Sequence, residues 1–165
     1  MHFSDLASLP DADFVSALAG IYEDSPWVPR AVLGQRPFAG RAALQVALRE
    51  VVDRAERSAQ LALLRAHPEL ARRAQMSADS VREQSGAGLD RLTADEHAQF
   101  LDLNARYRTR HGFPFIVAVR GLDKNGIRAA LETRLPQPPE AEFGAALAQV
   151  HRIAALRLHD LIQEN

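Results

Sequence analysis

The sequence predicts an all-α protein, a single-domain multi-helix bundle with one buried extended apolar segment at about 113–119. Three observations carry that expectation. Apolar residues recur at helical spacing along most of the chain. Prolines fall between the periodic runs. One stretch, Phe113-Pro114-Phe115-Ile116-Val117-Ala118-Val119, is short, apolar and partly β-branched, with no second stretch of that quality to pair with it.

Taken in order, Phe14, Ala17, Leu18, Ile21 and Tyr22 fall at i, i+3, i+4, i+7 and i+8, the face of a short helix opened by Asp11 or Asp13. Ser25-Pro26-Trp27-Val28-Pro29 then breaks it, because two prolines so close together do not fit a helix interior. From about Arg41 to Ala66 a long amphipathic segment carries Leu44, Leu48, Val51, Val52, Ala55, Leu61 and Leu64. His67-Pro68 is the next break. Ser77 or Asp79 is placed to cap a short helix that ends around Ser85-Gly86-Ala87-Gly88. Thr93-Ala94-Asp95-Glu96 is a capping box, and the run behind it sets Phe100, Leu103 and Tyr107 on one face before stopping at Gly112. Asn125 opens a helix through Leu131 to Leu135, ahead of Pro136 and the Pro138-Pro139 pair, and the last helix runs from about Glu140 to Gln163. No repeat or linker divides the chain, so residues 1–165 are expected to form one domain.

Composition narrows the function classes. A chain of 165 residues, 47% hydrophobic and 25% charged, buries a sizeable core without staples. The absence of cysteine excludes disulfides, thiolate metal ligands, Fe–S clusters and a cysteine nucleophile. A net charge of −1 offers no broad basic field, so neither nucleic acid nor a membrane surface is an expected partner. Lys124 is the one lysine among 20 basic residues, a skew that reads as genomic base composition. No apolar run approaches the ~20 residues of a membrane span. Met1-His2-Phe3-Ser4-Asp5 lacks the regions of a signal peptide, and Gln163-Glu164-Asn165 is no peroxisomal address. A soluble cytoplasmic protein is expected.

Several polar residues stand where chemistry could use them. In the last helix Phe143, Leu147, Val150, Ala154 and Leu161 form an apolar stripe, and Arg157 lies at its edge. A core-facing arginine needs an anion. Either an internal salt bridge or a snorkelling side chain satisfies it, or it is a fork for a substrate carboxylate. His67 is held in a turn by Pro68. Ser80, Glu83 and Gln84, at i, i+3 and i+4, project from one helix face. The backbone of 113–119 must also find partners, either from neighbouring helices or from a ligand bearing amide groups.

Metal readings fail on spacing. His97 and His111 lie about 21 Å apart along one helix, and His151 and His159 about 12 Å, both too far for joint chelation. His67-Pro68-Glu69 lacks the second histidine of a zinc-protease helix. No Gly-rich phosphate loop or nucleophile elbow is present, and Ser85-Gly86-Ala87-Gly88 follows a helix rather than opening one.

The ordered set of His67-Pro68-Glu69-Leu70, Ser80-Val81-Arg82-Glu83-Gln84, Ala87-Gly88-Leu89, Phe100-x-x-Leu103-Asn104-x-x-Tyr107, Gly112-Phe113-Pro114-Phe115-Ile116 and Arg157-Leu158 resembles the 2-oxo-4-hydroxy-4-carboxy-5-ureidoimidazoline (OHCU) decarboxylase family. Ser25-Pro26-Trp27-Val28 fits as well, so the resemblance covers nearly the whole chain. It implies an all-helical fold, usually a homodimer, with no cofactor, acting last in the oxidation of urate and converting OHCU to (S)-allantoin and CO₂. It carries the family's catalytic histidine to His67. Substrate contacts carry over to Pro68, Ser80, Val81, Arg82, Glu83, Gln84, Phe115, Ile116, Val117, Ala118, Val119 and Arg157. Glu83 is expected to act with His67 in catalysis by orienting it. Composition and periodicity alone fit a non-catalytic helical partner-binding domain equally well, and a lyase for a related ureido or imidazoline acid is a second enzyme reading.

Overall fold

A computed structural model describes residues 1–71 and 78–164. Among these it is all-α, with nine α-helices and no β-strand. The chain divides into two compact units, Met1–Ala66 with His151–Asn165, and His67–Val150.

The first unit holds α1 (Phe3–Ser8), α2 (Asp11–Leu18), α3 (Trp27–Ala31), α4 (Arg41–Asp53) and α5 (Arg57–Ala66). Two expectations are corrected here. The Ser25–Pro29 stretch does not merely interrupt: α3 forms across it, with Pro26 as N-cap and Pro29 in the first turn. Amides at those positions have no partner inside a helix, so proline removes nothing there. The long segment from Arg41 to Ala66 is two helices, α4 and α5, parted at residues 54–56. Gln60 Nε2 reaches back at 2.9 Å to the Val52 carbonyl at the end of α4. Periodicity alone does not register so short a break.

Buried Leu6, Phe14, Leu18, Leu44, Leu48, Val52 and Leu64 form the apolar interior of this unit. Arg36 ties its N-terminal helices, donating to Asp11 Oδ1 at 2.8 Å and to the Ala7 and Leu9 carbonyls at 2.7 Å each.

His151 lies in this unit, between two partners. Its Nδ1 meets the Tyr22 hydroxyl at 2.9 Å and its Nε2 meets Asp53 Oδ1 at 3.0 Å. Burial pushes the Tyr22 phenol well up, so it stays protonated and donates to Nδ1. Burial also lowers the His151 pKa, outweighing the hydrogen bond and the attraction from Asp53, which raise it; Arg49, paired with Asp53, adds to the lowering. Below the ordinary imidazole value of ~6.5 the unfolded chain therefore binds the extra proton more readily than the folded one. Stability is expected to fall as pH drops through that window and to be indifferent to His151 above it. His151→Gln should flatten this slope in denaturant midpoints taken between about pH 5 and pH 7.5. Parallel slopes in the two proteins would refute the assignment.

The second unit contains α6 (Ala78–Gly86), α7 (Ala94–His111), α8 (Lys124–Arg134) and part of α9 (Pro139–Leu161), which continues into the first unit. The capping box opens α7 as expected: the Glu96 amide donates to Thr93 Oγ1 at 3.2 Å, and the Thr93 amide to Glu96 Oε2 at 2.9 Å. Gly112, at φ +79°, closes the same helix in the left-handed conformation that glycine adopts without strain. Asp123 rather than Asn125 caps α8, its carboxylate accepting from the Gly126 amide at 2.8 Å. Ser77, one of the two expected caps of α6, lies outside the described residues.

Residues 114–119 run without helix, turn or bend, and Phe113, Phe115, Ile116, Ala118 and Val119 are buried. The expected apolar segment is there. No described helix is long and apolar enough to cross a membrane.

Candidate functional site

His67 follows the last residue of α5, where Pro68 disfavours further helix, and it is buried at 7% exposure. The strap behind it is held by side chains. Asn104 Nδ2 donates to the Leu70 carbonyl at 2.7 Å, and the Ala71 amide donates to Gln84 Oε1 at 3.0 Å. His97 Nε2 meets the Ala71 carbonyl at 3.1 Å, and Arg108 pairs with Glu69 at 3.0 Å. Ala71 sits at φ +61°, left-handed for a residue with a Cβ, a geometry that persists only where its surroundings over-determine it. Helices α6 and α7 supply that restraint.

On α6, Ser80 and Gln84 are buried, and Glu83 is half-buried on the adjoining part of that face. The expected Ser80–Glu83–Gln84 face therefore exists. Val81 and Arg82 turn outward instead, and Arg82 pairs with Asp79 at the surface. Gln84 also has a duty invisible in the sequence, since its carbonyl oxygen takes the Ala71 amide.

Two neighbouring helices and the chain just after the segment supply partners to the 115–119 backbone. Arg134 Nη1 donates to the Ile116 carbonyl at 2.7 Å, and the Ala118 amide donates to Gln149 Oε1 at 2.9 Å. The Leu122 amide donates to the Val119 carbonyl at 2.9 Å. Phe115 packs edge-on against Tyr107, ring centroids 5.3 Å apart, while the Arg134 guanidinium lies 4.6 Å from the Phe115 ring centroid.

Arg134 is itself anchored. Its Nε donates to Glu142 Oε1 at 2.7 Å, and Nη2 lies against the same oxygen without the alignment of a hydrogen bond. The Tyr107 hydroxyl donates to that oxygen at 2.5 Å. Burial, with the Glu142 carboxylate beside it, pushes the Tyr107 phenol well above its usual value, so it remains a donor. Sequence reasoning missed Arg134, Glu142 and Gln149. The test that singled out Arg157 passes over Glu142, which at ~100° per residue lies about 80° from the nearest residue of the Phe143–Leu161 stripe.

Arg157 belongs to the other unit. Its Nη1 donates to Glu23 Oε2 at 2.7 Å and to the Gly20 carbonyl at 2.9 Å, and the arginine and glutamate side chains are 6% and 3% exposed. The internal anion that one reading of Arg157 required is Glu23, which the sequence did not single out. His97 and His111 serve backbone carbonyls, of Ala71 and Leu135. No cluster of three or more potential metal ligands occurs among the described residues.

Within one all-α chain, the fold holds a buried histidine on a restrained strap, a buried hydroxyl and amide on α6, and an apolar segment with anchored backbone. That combination suits small-molecule acid–base chemistry. Residues 7–159 match the family model described as OHCU decarboxylase. A Haloferax volcanii protein named 2-oxo-4-hydroxy-4-carboxy-5-ureidoimidazoline decarboxylase is 44% identical, over 91% of this chain and 89% of its own length. A Bacillus subtilis uric acid degradation bifunctional protein is 41% identical over 97% of this chain and 32% of its own length. A crystal structure of (S)-allantoin synthase superposes with a TM-score of 0.81 at 36% identity, covering 98% of this chain and 54% of that one, so this chain spans about half of that protein. The chain belongs to the OHCU decarboxylase family.

Proposed function

We propose that this protein decarboxylates OHCU to (S)-allantoin and CO₂, the last step of urate oxidation to allantoin, with His67 as its acid/base residue. The observation that carries this reading is the complete ordered motif set, from His67 to Arg157, in a chain that matches the family across residues 7–159. In the reaction the bond between the ring carbon and its carboxylate breaks, CO₂ leaves, and the electron pair spreads into the neighbouring C=N/C=O system. The hydroxyl on that carbon then gives up its proton as the carbon becomes the ring carbonyl, the ring nitrogen takes up a proton, and one proton delivered to one face of the neighbouring ureido-bearing carbon completes (S)-allantoin.

Each group has a task suited to it. His67 exchanges a proton with the substrate hydroxyl or the reacting carbon, and Glu83 orients it. Ser80 and Gln84 hold the ureido arm, with Pro68, Val81 and Arg82 completing the contacts implied by family resemblance. The backbone from Phe115 to Val119 pairs with the ring amides. Arg157 grips an anionic group, its guanidinium oriented by Glu23. The same resemblance supports a cytoplasmic homodimer that works without a cofactor, with residues 1–165 as one functional domain. Neither nucleic acid nor membrane enters this reading.

A circular-dichroism time course of freshly generated OHCU, run in a chelating buffer, tests it. Added protein should speed the decay and give optically active (S)-allantoin, whereas spontaneous decay should give racemate. Unchanged decay with racemic product would refute the proposal.

A further inference from the structure

Residues 114–119 run without helix, turn or bend, and Val117 is half-buried while Phe115, Ile116, Ala118 and Val119 around it are buried. Two side chains from different helices hold its neighbours, Arg134 on the Ile116 carbonyl at 2.7 Å and Gln149 on the Ala118 amide at 2.9 Å. Both holds flank the same peptide residue. Arg134 has little freedom, because Glu142 fixes its Nε and Tyr107 donates to the same carboxylate oxygen.

We propose that Arg134 and Gln149 are positioning residues that jointly present the Val117 backbone N–H and C=O to the substrate's ring amide. This rests on the decarboxylase reading and deepens it, naming the atoms of 115–119 that meet the ring and the residues that aim them. A donor and an acceptor on one residue match the acceptor and donor of a cyclic amide, so their joint aim sets both ring position and the face open to protonation. Neither positioning side chain touches substrate in this account.

The test compares Gln149→Met, Gln149→Glu and Arg134→Lys with wild type. Gln149→Met keeps length but removes the acceptor, and Gln149→Glu restores it. Arg134→Lys keeps a cation for Glu142 but lacks the fork that reaches Ile116 at the same time. Gln149→Met and Arg134→Lys, confirmed as folded by their helical spectra, should raise KM for OHCU roughly three- to tenfold, about the worth of one neutral hydrogen bond. They should also lower the (S) excess of the allantoin formed. Gln149→Glu should recover both.

A merely structural role would lower the melting temperature and leave KM and handedness alone. Wild-type KM and (S) excess in folded Gln149→Met and Arg134→Lys would overturn the proposal while the decarboxylase reading stood. If Arg134→Lys does not fold, Gln149→Met alone decides. A wild-type protein inert toward OHCU would overturn both.

Discussion

Replacing His67 with asparagine is expected to cut OHCU turnover by roughly 10²–10⁴-fold, the usual cost of removing a positioned acid/base group. Asparagine remains polar at this buried position but exchanges no proton near neutral pH. The strap behind His67 is held at Leu70 and Ala71 by Asn104, Gln84 and His97, and these holds remain when His67 is replaced. The helical spectrum and melting temperature should therefore stay close to wild type while the rate collapses. A variant that keeps more than half its activity would move the proton transfer to another group. One that unfolds would make His67 a structural residue.

Arg157→Gln should destabilise the fold by ~3–5 kcal/mol, because it leaves the Glu23 carboxylate buried without its cation. The family match favours Arg157 facing substrate in place of an internal salt bridge, with stability little changed; the buried pair with Glu23 corrects that part of the expectation. Pairing with Glu23 and gripping substrate are compatible, and the double variant Glu23→Gln/Arg157→Gln separates them. Removing both charges lifts the penalty of a stranded ion, so much of the lost stability should return. If Arg157 also holds the substrate's anionic end, the refolded double variant should still show a steep loss of kcat/KM. Arg157→Lys should keep the fold better than it keeps the activity, because an ammonium lacks the two-pronged geometry. Wild-type kcat/KM in the double variant would reduce Arg157 to a structural partner of Glu23.

Where an element begins or ends because of its own residues, the sequence was sufficient. Thr93 and Glu96 open α7 by bonding each other's amides, Gly112 closes it, and Pro68 ends α5 at Ala66, all within four residues of the feature they set. The apolar run at 113–119 was equally plain. Where a short local effect overrode periodicity, the reading slipped: α3 formed through Pro26 and Pro29, and α4 and α5 parted at 54–56. His67, Ser80, Gln84 and Arg157 stood out in the sequence by residue type and place, and all four are buried.

By itself, then, the sequence determined the helical class, most helix ends, the extended segment and the family motif order, because each depends on neighbours along the chain. Only the tertiary structure decided which polar groups meet. Glu23 finds Arg157 across 134 residues, Asn104 finds the Leu70 carbonyl across 34, and Gln149 finds the Ala118 amide across 31. Helical spacing says that a side chain faces inward but not which partner from another helix stands there. A buried charge or amide needs some partner, and the packing of distant helices chooses which one.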